Sequence, residues 1–91
     1  MRALKSDLNQ AAIVRTFKAA GATVQDLHAV GRGCPDLLVG IRGKTYLVEV
    51  KSKGGKFTPA QVEWWWNWQG QAQVIRSCLQ VVEFLNEITL K

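Results

Sequence analysis

The chain turns on residues 34–51, Cys34-Pro35-Asp36-Leu37-Leu38-Val39-Gly40-Ile41-Arg42-Gly43-Lys44-Thr45-Tyr46-Leu47-Val48-Glu49-Val50-Lys51. Two short apolar runs flank a turn at Arg42-Gly43-Lys44, and each carries charge where a buried strand should have none. Asp36 opens the first run; Glu49 and Lys51 close the second. Carboxylates are poor strand formers and costly to bury unpaired, so a site accounts for them better than a core does. If Arg42-Gly43 is a two-residue hairpin loop, Ile41 faces Lys44 and Asp36 lands opposite Glu49, with Cβ atoms roughly 4.5–5.5 Å apart. Alternation of side chains then puts Lys51 on the face of Glu49. A three-residue loop would send Asp36 to the opposite face, and Arg42 is not an ideal residue for a primed turn. Two adjacent carboxylates raise each other's pKa unless a cation lies between them. Together with a lysine they suit Mg²⁺ or Mn²⁺ and a phosphate, because such ions take one or two carboxylates, keep water, and bind substrate phosphate. The chemistry this implies is hydrolysis of a phosphodiester.

Pro35-Asp36 followed after a spacer by Glu49-Val50-Lys51 resembles the PD-(D/E)XK nuclease signature. Gly33-Cys34-Pro35-Asp36-Leu37, the linker Gly54-Gly55-Lys56-Phe57, Thr58-Pro59-Ala60-Gln61 and the closing Val74-Ile75-Arg76-Ser77 resemble, in that order, the VRR-NUC (virus-type replication-repair nuclease) branch. The resemblance spans nearly the whole chain. It implies Asp36 and Glu49 as metal ligands with the Val50 carbonyl, Lys51 as the group that orients or activates water, and Gln61 facing the active site. It also implies one further acid from the first helix. Asp7 is the acid available there, one residue off the family's usual position; Gln10 lies a turn further on. An N-terminal capping or dipole role accounts for Asp7 equally simply.

Ninety-one residues make one small domain, 1–91, with a modest core, so self-association is a reasonable expectation. No long apolar run or signal-like start points to a membrane or to secretion, and Cys34 and Cys78 read as reduced thiols of a cytoplasmic protein. Twelve Lys and Arg against seven Asp and Glu give a net charge of +5, which suits a polyanion as well as plain solubility.

In chain order, residues 4–20 read as a helix with apolar residues on two sides: Leu4, Leu8 and Ala11 on one, Ile13, Phe17 and Ala20 on the other. Residues 22–30 read as a strand carrying His28, which is a base candidate or a structural histidine. Gly31-Arg32-Gly33 breaks it, and Arg32 either reaches a phosphate or is an exposed loop charge. The hairpin strands 36–41 and 45–51 are apolar on both faces and should be covered on both. Lys53 and Lys56 sit in a basic, glycine-rich loop fit for backbone phosphate contacts. Thr58-Pro59-Ala60-Gln61 is a capping box opening a helix that Gly70 stops. Strand 72–76 and helix 78–88 follow, the latter with Leu79, Val82, Leu85 and Ile88 as its core stripe. The order α-β-β-β-α-β-α is that of the PD-(D/E)XK α/β fold, with a mixed sheet and a right-handed crossover into the last strand.

Trp64, Trp65 and Trp66 span about 200° of a helix, so one buried face cannot hold them, and Trp68 returns to the side of Trp64. The exposed remainder marks a homodimer contact or, alternatively, a platform for unpaired bases. The expectation is a metal-dependent DNA endonuclease, acting as a homodimer on branched DNA such as four-way junctions, with a 5′-phosphate product implied by the resemblance. The alternative is a non-catalytic DNA-binding or assembly module that keeps the fold.

Overall fold

The computed structural model describes the backbone of residues 5–90 and the side chains of residues 8–90. Seven elements follow in order: α1 (Lys5–Ala19), β1 (Thr23–Asp26), β2 (Leu37–Ile41), β3 (Lys44–Val50), α2 (Pro59–Asn67), β4 (Ala72–Ile75) and α3 (Cys78–Thr89). The strands form one mixed sheet in the order β1-β2-β3-β4, antiparallel except for the parallel β3–β4 pair. This is the α-β-β-β-α-β-α order expected from the sequence, with the return strand beside β3.

The hairpin turns in two residues. Ile41 pairs with Lys44 and Leu37 with Val48, which carries Asp36 and Glu49 to facing positions. Both loop residues are left-handed, Arg42 at φ 54° and Gly43 at φ 77°. That is the primed turn whose twist matches the strands, with Gly43 at the position that needs no Cβ. The less suitable Arg42 gains a partner, its guanidinium donating to the Thr89 hydroxyl at the end of α3.

One sheet face is closed. Leu37, Val39, Tyr46, Val48 and Ile75 pack under Ile13 and Phe17 of α1 and Val81 and Phe84 of α3, all buried. Phe84 meets Phe17 and Tyr46 edge-on, at 6.5 and 5.1 Å between ring centroids. Such pairs add to what their buried area contributes. Of the two apolar stripes expected on the first helix, Ile13 and Phe17 enter the core, whereas Leu8 and Ala11 of the first and Ala20 of the second are exposed; Leu4 lies outside the described residues. On α3 half of the expected stripe holds, Leu85 and Ile88 packing against the core, and the other half is displaced. Leu79 is 68% exposed and Val82 is exposed too, whereas Val81 and Phe84 are buried. Both series recur at helical spacing, and the larger Phe84 ring takes the interior.

Three further expectations are corrected. β1 stops at Asp26, because the Asp26 carboxylate accepts the His28 N–H at 2.7 Å and Val30 N–H returns to the Leu27 carbonyl, which makes residues 27–30 a turn. His28 is therefore an exposed turn residue paired with Asp26 rather than a strand residue. Helix α2 ends at Asn67, not at Gly70, because Trp68 turns extended (φ −76°, ψ 130°). The second sheet face is not closed over: Leu38 and Leu47 are half-buried, and α2, none of whose residues is buried, lies against only its Glu49–Val74 end.

The turn after β1 locks onto α2 through Gly33. A Cβ there would lie 2.2 Å from the Ala60 carbonyl oxygen, and Gly33 has φ +79°. Gly33→Ala should therefore destabilise by about 2–3 kcal/mol, combining left-handed strain with overpacking. Thermal unfolding should show this as a fall on the order of 10 °C for a chain of this size.

Candidate active site

β3 delivers Glu49 to the half-open face, and pairing with Val74 of β4 sinks it to 2% exposed. β2 begins beside it, after the rigid Pro35, and Asp36 is held from the neighbouring strand: its Oδ2 accepts the Val50 N–H at 2.8 Å. Burial first, then the negative charge of Asp36, push the Glu49 carboxyl up to about 7; the Lys51 ammonium opposes them. Lys51 projects to the same face, its Nζ 3.7 Å from Glu49 Oε2 and 5.3 Å from the centre of the Phe57 ring.

Gln61 ties the group together. Its Oε1 accepts from Lys51 Nζ at 2.7 Å and from the Thr58 N–H at 2.9 Å, and its Nε2 donates to Glu49 Oε2 at 3.1 Å. The Thr58 hydroxyl accepts the Gln61 N–H, which completes the capping box. The capping and site-facing roles are thus filled by one side chain at once. The N-terminus of α2 sets the angle at which this amide reaches across to β3.

Among the described residues two buried side-chain polar atoms have no hydrogen-bond partner, Glu49 Oε1 and the Trp65 indole Nε1. A buried carboxylate oxygen without a partner is costly, and a bound cation removes that cost. No cluster of three or more His, Cys, Asp or Glu side chains suited to a metal occurs among the described residues. The side-chain donors offered are therefore two carboxylates, Asp36 and Glu49. A hard, partly hydrated divalent ion accepts such a set; an ion needing a full protein cage does not.

Other expected residues fall into different places. Lys53 and Lys56 are exposed on the loop that follows β3. Arg32 is exposed beside α2, sharing a groove with Trp64 and Trp68 instead of joining the carboxylates. The Asp7 side chain lies outside the described residues, and Gln10 makes no hydrogen bond to Asp36, Glu49, Lys51 or Gln61. Among the described residues α1 turns Asn9 to the strand ends, its amide donating to the Lys51 and Arg76 carbonyls, each at 3.3 Å. Arg76 in turn donates to the Ser52 and Gly55 carbonyls, both at 2.9 Å, and so clamps the lysine-bearing loop to the end of β4. Cys34 also borders the site. Burial, then the charges of Glu49 and Asp36, push its thiol up, so it remains protonated.

Neither Asn9 nor the clamping role of Arg76 stands out in the sequence. Both residues act through backbone carbonyls, which leave no residue-type signature. The signal that existed was the presence of polar side chains at an inward helix position and at a strand end.

The four tryptophans divide. Trp64 and Trp68 stack on one another at 4.8 Å and 18° on the side of Arg32. Trp65 and Trp66, with Phe57, Val62 and Val74, line a separate, almost wholly apolar groove of about 380 Å³ between α2 and the edge strand β4.

The model of the VRR-NUC domain family matches residues 2–82. A solved structure of a "VRR_NUC domain" superposes with a TM-score of 0.77 at 32% sequence identity, covering 92% of this chain and 97% of that one. No curated protein matches the chain. With the motif residues in order and the fold shared from α1 to α3, the chain belongs to the VRR-NUC domain family, a nuclease-type domain.

Proposed function

We propose that this chain is a Mg²⁺- or Mn²⁺-dependent DNA endonuclease in which Asp36 and Glu49, with the Val50 carbonyl, hold the metal. The observation that carries this reading is the buried, partnerless Glu49 Oε1 beside a second carboxylate and a lysine. A divalent ion bound there supplies charge neutralisation at the phosphate and a more acidic water.

The chain's own groups do the rest. The Val50 N–H fixes the rotamer of Asp36. Gln61 fixes both the Glu49 carboxylate and the Lys51 amine, so neither has to be ordered when substrate arrives. The Lys51 ammonium orients water toward the phosphorus and offsets charge gathering on the phosphate oxygens. The leaving group is the 3′-oxygen, so the product carries a 5′-phosphate. Asn9 and Arg76 are positioning residues, holding the end of β3 and the loop of Lys53 and Lys56 against β4. Those lysines follow the DNA backbone without reading bases.

The substrate is branched DNA such as a four-way junction, cut by a homodimer. The exposed apolar groove of Trp65 and Trp66 supports the dimer. Trp66 is 88% exposed, a ring this large in water beside Val62 and Phe57, and a twofold contact there would bury two such grooves on each other.

Duplex, flap and four-way substrates incubated with Mg²⁺ or Mn²⁺ test the reading. Cleavage should appear with metal, stop in EDTA, and fall at least about 100-fold in Asp36→Ala. Asp36→Ala cleaving at the parent rate would overturn the mechanism. Sedimentation should show Trp66→Ala shifted toward monomer; an unshifted equilibrium removes the proposed dimer contact.

A further inference from the structure

We propose that the groove between the Gly31–Gly33 turn and α2 binds an unpaired nucleotide of the substrate, its phosphate on Arg32 and its base against the Trp64–Trp68 wall. This rests on the nuclease reading and adds to it that the branched substrate presents a base out of the helix where the strands part.

The groove is open to solvent, holds about 530 Å³, and is lined by Arg32, Ala60, Glu63, Trp64, Asn67 and Trp68. That is room for a single nucleotide. Its chemistry is graded along its length. A guanidinium, the side chain best shaped to grip a phosphate, stands at the turn side. Two indoles stacked at 18° make the far wall, with Trp68 44% exposed. An aromatic wall accepts any base, because every base has a π-face. Glu63 also borders the groove and repels phosphate.

The position agrees with this use. Ala60 belongs to the groove, and the next residue, Gln61, holds Glu49 and Lys51. Arg32 precedes Asp36 on the same connection. A strand with one nucleotide seated in the groove therefore runs on toward the carboxylates.

The turn itself is costly to form. Arg32 is left-handed at φ 56°, between Gly31 and Gly33, both also left-handed. Glycine would relieve the strain at this position, yet an arginine occupies it. Residues held in such conformations cluster where a ligand needs them. Gly33, with no Cβ, lets the turn close on the Ala60 carbonyl and so holds Arg32 at the groove.

The test is fluorescence anisotropy in EDTA at constant salt, comparing a labelled duplex carrying bulged, unpaired nucleotides with the same duplex fully paired. The parent should prefer the bulged duplex by about tenfold, as stacking of one base provides. Arg32→Gly, which suits the left-handed backbone and so cannot fail by strain, should bring the ratio close to one. Trp68→Ala should do the same, and Trp68→Phe should retain most of the preference. A parent without preference, or an unchanged ratio in both Arg32→Gly and Trp68→Ala, overturns the proposal. Because no cleavage occurs in EDTA, loss of the nuclease reading would look different: the bulge preference would persist while no substrate was cut in Mg²⁺.

Discussion

Near pH 8 in EDTA, Glu49→Gln should unfold at a higher temperature than the parent protein while losing cleavage altogether in Mg²⁺. Burial and Asp36 raise the folded-state pKa of Glu49 to about 7, above its ordinary value of 4.5. A group shifted this way favours the folded state fully below its unfolded pKa, and the benefit is lost as pH climbs through the folded one. The metal-free parent should therefore weaken between about pH 5 and pH 8, by on the order of 2 kcal/mol. Glutamine keeps the shape, still accepts from the Gln61 amide, and cannot ionise, so the variant should hold its stability across that range. Scanning calorimetry at several pH values reads the difference, expected at roughly 10 °C near pH 8 for a domain this small. Added Mg²⁺ should raise the parent's unfolding temperature and leave the variant's unmoved. If the variant is instead the less stable of the two near pH 8, Glu49 is not the strained group described here.

Lys51→Ala should also abolish efficient cleavage, by about 100-fold or more, but it should shift stability the opposite way. The ammonium is the positive charge that opposes the two carboxylates, and it is mostly buried, bonded to Gln61 Oε1 and 3.7 Å from Glu49 Oε2. Removing it leaves an ionised Glu49 without its countercharge, a change that is strongly unfavourable in buried pairs. The loss, about 1–3 kcal/mol near pH 8, should shrink near pH 5, where Glu49 carries a proton. Two substitutions in one site would thus both silence the enzyme and displace the melting temperature in contrary directions. An equal loss at both pH values would mean that Lys51 contributes through packing of its stem, not through charge.

The hairpin was legible in the amino-acid sequence because few arrangements satisfy it. A two-residue loop at Arg42-Gly43 and alternating side chains bring Asp36 and Glu49 together, and the fold takes that loop rather than the three-residue one that would have parted them. The capping box at Thr58 was legible for a similar reason, being a local pattern with a local cause. The stripe chosen on α3 was not. Leu79 with Val82 and Val81 with Phe84 fit helical spacing equally, and only the shape of the cavity left by Phe17 and Tyr46 selects the second pair. The end of β1 was hidden as well, since the Asp26 carboxylate competes with the sheet ladder for the backbone N–H of His28.

The sequence by itself determined the order of elements and the acids and lysine at the hairpin ends, because each follows from local pattern; it reduced the register to two loop lengths, between which the folded turn at Arg42-Gly43 chose. Only the tertiary structure decided which tryptophans face Arg32 and which face β4. It also decided that Asn9 rather than Gln10 reaches the strand ends, and that Arg76 clamps the loop after β3. Those choices depend on the rotation of α1 and α2 about their own axes as they settle on the sheet. That rotation is set by the whole packed interface, and no short stretch of sequence encodes it.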